Sequence, residues 1–217
     1  MKYAYLVLAL TGAGLIAACS DLTRSRDLDN PKVAAATMAQ QVCSNCHGIT
    51  GVSVSPNFPN LAAQPAAYLE AQLREFKSHD REDPAGFEYM WGLSRSLTDD
   101  QINGLAAYFS SQAPAHGPIE ADANRRAAGN LVFLNGVPEK NIPACTTCHG
   151  DAGQGNATFP RLAGQHADYV VKQLVVFQRT NQRPSGAIMQ TVAHELSVDN
   201  IRDVAAYVQS LGNVATP

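Results

Sequence analysis

Apolar positions along this chain recur at helical spacing, and no stretch alternates convincingly with the period of two that a strand needs. Tyr68, Leu69, Leu73 and Phe76 share one helical face, as do Tyr169, Val170, Leu174 and Phe177. Thr98-Asp99-Asp100-Gln101 has the form of a capping box, and the apolar set Ile102, Leu105, Ala106 and Phe109 that follows predicts a further helix. Ser197 opens its equivalent, which is expected to end at Gly212. Asn30-Pro31 fits an N-cap and first helical position for a helix running into Cys43, and its counterpart is expected to begin near Glu120 and stop at Gly136. The pattern predicts an all-α fold.

The helices come in two sets. Residues 58–76 align with 159–177 at an offset of 101, with ten identities in nineteen positions. A Cys-x-x-Cys-His motif repeats at an offset of 102, and Met90 with Leu97 matches Met189 with Leu196 at an offset of 99. Such self-similarity marks a duplicated module, and small loop differences explain the drift. Gln112 to Pro118 is rich in Pro and Gly, which predicts two modules at 31–112 and 120–212, a linker at 113–119 and a tail at 213–217.

The first 18 residues stand outside this plan. Met1 and Lys2 precede 16 apolar residues, shorter than the ~20 of a spanning helix, and the segment reads as an export signal. Ile16-Ala17-Ala18-Cys19 resembles the lipobox of bacterial lipoproteins, which makes Cys19 the candidate lipidation site and membrane anchor. Cleavage nearby at Ala18-Cys19-Ser20 and an uncleaved anchor are the alternatives; all three place the folded part outside the cytoplasm, in the periplasm. Residues 19–30 are polar and aperiodic, as expected of a flexible tether. A net charge of -3 with scattered Lys and Arg offers no basic stripe, which argues against nucleic acid as a partner.

An oxidising compartment favours disulfides, but the cysteine arithmetic does not. Cys19 belongs to the lipobox, and the other four form two CxxC pairs, each followed at once by His. Cys43, Cys46 and His47 fall on one face of a single helical turn, as do Cys145, Cys148 and His149. Two thiols in that arrangement reach the two vinyl groups of a porphyrin while the imidazole reaches the iron, so the motifs predict two covalently attached haem c groups. A zinc half-site leaves the fixed position of both histidines unexplained. For the second axial ligands the repeat points to Met90 and Met189, 43 and 40 residues beyond the proximal histidines. His79 and His194 are the rivals; neither recurs in the other copy, and His116 and His166 carry no assigned role. A coordinatively full iron leaves no place for oxygen or peroxide, and a thioether favours the ferrous state, so electron transfer at a comparatively high potential is expected, without a small-molecule substrate.

With both CxxCHG motifs, the two FPxLAxQ segments, the two methionines and the closing Ala-Ala-Tyr helices at 106–108 and 205–207, the sequence resembles the dihaem cytochromes of the cytochrome c4 type. The resemblance covers roughly residues 32–212 and implies two tandem class I cytochrome c domains related by a pseudo-twofold axis, each wrapped round one haem. It further implies that the carbonyls of Pro59 and Pro160 hydrogen-bond the second ring nitrogen of His47 and His149. The role it implies is electron transfer in a bacterial respiratory chain, often to a terminal oxidase; the lipobox departs from many relatives, which are soluble or differently attached, and makes the leading expectation a membrane-tethered carrier between a quinol oxidoreductase or dehydrogenase donor and a terminal oxidase. A cytochrome subunit of a dehydrogenase or oxidase complex has the same chemistry with a different partner. A dihaem peroxidase needs an open or displaceable axial position, and the chain has a Met for each iron.

Overall fold

The computed structural model describes residues 25–116 and 122–211. The expected leader, Cys19, Glu120, residues 117–119 of the linker, Gly212 and the tail lie outside the described residues. Helix α1 runs Ala35–Met38, widens into a π-helical turn over Ala39–Cys43 and closes as Ser44–His47. Helix α2 spans Ala66–Ser78; a second π turn, Gly86–Met90, leads into the short α3, Trp91–Ser94; and α4 covers Asp99–Ser110. The second half repeats the plan with α5 (Ala123–Asn135), α6 (Thr146–His149), α7 (Ala167–Arg179), α8 (Ala187–Ala193) and α9 (Val198–Leu211). Among the described residues, β pairing is confined to two isolated bridges, Val137 with Ile142 and Asn156 with Phe159.

Two local expectations change. Asn30-Pro31 does not open α1: the Asn30 side chain accepts from Lys32 N at 2.9 Å in a turn, and the helix starts at Ala35. Tertiary contact explains the shift. Gln101 Nε2 donates to the carbonyls of Asn30 and Val33 at 3.0 and 3.1 Å, holding those groups in a turn that precedes the helix. Its Oε1 accepts from Thr98 N and its own N–H meets Thr98 Oγ1, the two reciprocal bonds of a capping box. The counterpart helix α5 begins at Ala123, where the Asp122 carboxylate accepts from Asn124 N, and stops at Gly136.

Each half closes its own core. In the first, Met38, Leu69, Leu97, Ile102, Leu105 and Phe109 pack between α1, α2 and α4; in the second, Phe133, Val170, Leu174, Phe177, Ile201 and Val208 join α5, α7 and α9. The tight crossing of α5 on α9 depends on Gly129, where a Cβ would lie 1.9 Å from the Asp203 carbonyl oxygen. The halves meet through a buried polar seam. Gln72 from α2 and Gln173 from α7 flank Arg81, Asp83 and Arg183, all at most 8% exposed.

Candidate functional site

The last turn of α1 carries Cys43, Cys46 and His47, and α6 carries Cys148 and His149 with Cys145 at its N-cap. Each turn ends at a glycine with positive φ, Gly48 at 76° and Gly150 at 82°. A Cβ on Gly48 would also lie 2.1 Å from the Val52 carbonyl oxygen, so the chain must reverse here through a residue without a side chain. The reversal brings the following loop back over the histidine. His47 Nδ1 lies 2.9 Å from the Pro59 carbonyl and His149 Nδ1 lies 2.8 Å from that of Pro160. A carbonyl accepts only, so Nδ1 carries the proton and donates, leaving the Nε2 lone pair for a metal. Burial pulls both histidines below the ordinary imidazole pKa, with the proline carbonyls opposing only in part. The neutral ring is the form that ligates. Burial likewise pushes the Cys43 and Cys145 thiols up to about 11.

Both motifs open on one continuous cavity of about 1100 Å³, whose lining includes Met90 and Met189 but neither His79 nor His194. Met90 closes the π turn before α3, and Met189 sits in the first turn of α8. His79 instead lies between the rings of Phe87 and Trp91, with centroids at 5.5 and 4.9 Å, and His194 is exposed beside Glu195. His166, left without a role above, holds the Ser53 carbonyl of the other half at 3.0 Å.

Most of the cavity wall is apolar, supplied by Leu69, Leu73 and Leu105 on one side and Val170, Leu174 and Val208 on the other. At the seam, the polar side chains of Arg81, Arg183, Gln72, Gln173, Tyr68 and Tyr169 also line it. Arg81 stacks over Phe76 and Arg183 over Phe177, each guanidinium carbon 4.5 Å from the ring centroid. Arg81 Nε donates to Asp83 Oδ1 at 2.7 Å, Gln173 Nε2 donates to Asp83 Oδ2 at 3.2 Å, and Arg183 Nη2 donates to Gln72 Oε1 at 2.9 Å. Burial alone would raise the Asp83 pKa, but the Arg81 hydrogen bond and charge hold it below the usual carboxylate range. The Nε of Arg183 is buried and has no hydrogen-bond partner among the described residues.

A haem is an apolar disc with two vinyl groups and, elsewhere on its rim, two carboxylates. The residues present fit that group: paired thiols beside an oriented imidazole, an apolar wall, and a buried guanidinium with an unused donor. Sequence reasoning missed the seam residues. Their one legible signal was a polar Gln, at 72 and 173, repeated four positions after the Tyr on an otherwise apolar helix face. Asp83 and Arg183 each precede a proline at an offset of 100, so an acid and a base occupy equivalent places and the duplication is electrically asymmetric there.

The family model described as Cytochrome c matches residues 33–113 and again 127–212. The chain is 41% identical over 174 residues to cytochrome c4 of Pseudomonas aeruginosa, covering 78% of this chain and 84% of that one. It is 34% identical over 185 residues to a thiosulfate dehydrogenase electron acceptor of Stutzerimonas stutzeri, covering 83% and 84%. Among solved structures, cytochrome c4 of Acidithiobacillus ferrooxidans superimposes with a TM-score of 0.72 at 40% identity, over 77% of this chain and 97% of that one.

Proposed function

Because this chain belongs to the cytochrome c family, as a two-haem member of the cytochrome c4 type, we propose that it relays electrons from a quinol- or dehydrogenase-level donor to a terminal oxidase. Members of this family transfer electrons and are not enzymes, and the Cys43/Cys46 and Cys145/Cys148 pairs attach two haem c groups. Bound haem supplies a one-electron iron couple. The protein's own residues set how that couple behaves.

In this reading His47 and Met90 ligate one iron, and His149 and Met189 the other. The supporting observation is that each methionine borders the same cavity as the CxxCH histidine of its own repeat. Pro59 and Pro160 hold the imidazoles in the tautomer that presents Nε2, and the apolar wall keeps water off the ligand bonds. Arg81 and Arg183, neutralised in part by Asp83, lie between the two halves, where both haems would feel their charge. The test is the ferric spectrum of the two-haem protein. Met90→Ala and Met189→Ala are each expected to remove about half of the far-red Met-to-iron band; an unchanged band in both variants rejects the ligand assignment.

The likeness to a thiosulfate dehydrogenase electron acceptor supports a second reading for the donor side, in which a periplasmic dehydrogenase delivers the electrons directly. Rapid-mixing reduction by such a dehydrogenase, set against reduction by a quinol oxidoreductase, separates the two. The place of action we infer is the periplasm, with Cys19 as a lipid anchor. Its support is the leader pattern and the lipobox; no helix among the described residues is long and apolar enough to cross a membrane. The mass of the mature N-terminal peptide decides, since an unmodified residue there removes the anchor.

A further inference from the structure

The two FPxLAxQ segments do not serve their own halves at their last position. Gln64 reaches across the seam to residue 161: its Oε1 accepts from Arg161 N at 2.5 Å and its Nε2 donates to Arg161 O at 3.2 Å. Gln165 does the same in reverse, accepting from Asn60 N at 2.8 Å and donating to Asn60 O at 3.0 Å. Both glutamines are 5% exposed. The target is one specific peptide group. Arg161 N–H and Pro160 C=O belong to the same amide plane, and that carbonyl receives the His149 Nδ1 proton. Asn60 N–H and Pro59 C=O likewise form the amide that holds His47.

Amide resonance links the two ends of such a group. An acceptor on the N–H shifts electron density towards the oxygen and makes the carbonyl a stronger acceptor, a cooperative gain of roughly 10–30% per bond. A stronger acceptor draws the Nδ1 proton away from the ring, gives the imidazole more anionic character and favours ferric iron. We propose that Gln64 and Gln165 are cross-domain positioning residues, each setting, through a single peptide group, the basicity of the iron-ligating histidine in the opposite domain and hence that haem's reduction potential. The inference rests on the reading of His47 and His149 as ligands. It makes each potential depend on domain docking, because the acceptor is lost if the halves separate.

The experiment uses the full two-haem protein, labelled with 15N-histidine, with haem methyl resonances assigning each midpoint to its domain. In the parent protein, the absence of hyperfine-shifted imidazole resonances sinks the ligand reading itself. Given those resonances, Gln64→Met is expected to raise the midpoint of the haem on His149, shift the His149 Nδ1–H signal and speed its solvent exchange, leaving His47 in place. Gln165→Met is expected to do the reverse. A shift confined to the same domain, equal shifts at both haems, or none overturns the proposal. Gln64→Glu keeps an acceptor for Arg161 N–H and is expected to preserve slow exchange at His149; fast exchange there would count against it. If the Met variants do not fold, the Glu pair decides alone. A charged acceptor is expected to lower the opposite haem's midpoint more than its own, and the opposite ranking refutes the idea.

Discussion

Asp83→Asn isolates the electrostatics of the seam. The carboxylate is 1% exposed and receives three hydrogen bonds, from Arg81 Nε at 2.7 Å, Arg81 Nη2 at 3.2 Å and Gln173 Nε2 at 3.2 Å. At an effective dielectric constant near 20, unit charges at 2.7 Å attract with a gross energy of about 6 kcal/mol. Desolvation of both partners offsets much of that, but removing one member of a formed buried pair strands the other, at about 3–5 kcal/mol. Asparagine keeps one acceptor oxygen, so the expected loss is about 3 kcal/mol, or about 6–12 °C in Tm for a chain of this size. The pH dependence carries the sign. Because the folded pKa of Asp83 lies below its unfolded value, its stabilisation is full above the unfolded pKa of ~3.9 and fades as pH falls from there through the folded pKa. Denaturant unfolding of the haem-loaded parent and variant, followed by far-UV circular dichroism, is the assay. The gap between them should be level from neutral pH to about 5 and close in stronger acid. A gap under ~0.5 kcal/mol at pH 7, or one that persists at a pH well below the carboxylate range, refutes the reasoning.

Three further outcomes follow from packing and backbone geometry. Phe133, fully buried between α5 and α9, should cost about 3–5 kcal/mol when replaced by alanine, seen as a lower urea midpoint for the second half; a cost below ~1 kcal/mol would mean that this core relaxes freely. Gly48→Ala must adopt a φ of 76° with its Cβ against the Val52 carbonyl, and at least ~1–2 kcal/mol of destabilisation is expected, with a disturbed His47 environment in the ferric spectrum. Gln101→Ala removes both capping-box reciprocity and the two bonds to the Asn30 and Val33 carbonyls; hydrogen exchange at the start of α1 and α4 should quicken, and unchanged protection would show the lead-in is held by packing alone.

The chain alone determined what depends on near neighbours. Helical spacing around Tyr68 and Tyr169, the Thr98 capping box and the CxxCH turns are all read within a few residues, where i, i+3 and i+4 contacts are set by local geometry. The duplication made the two haem motifs and two methionines legible as equivalent. What only the tertiary structure decided lies between segments distant in sequence. Gln101, 71 residues on, claims the Asn30 carbonyl and moves the start of α1. Arg81, Asp83 and Arg183 sit in irregular stretches with no period to mark them, and they matter because folding buries them against each other beside Gln72 and Gln173. The repeat showed that Gln64 and Gln165 correspond, yet it left open which half each one serves. That depends on how the two halves dock, since a hydrogen bond spanning about a hundred residues is formed by the approach of surfaces and leaves no periodic trace in the chain.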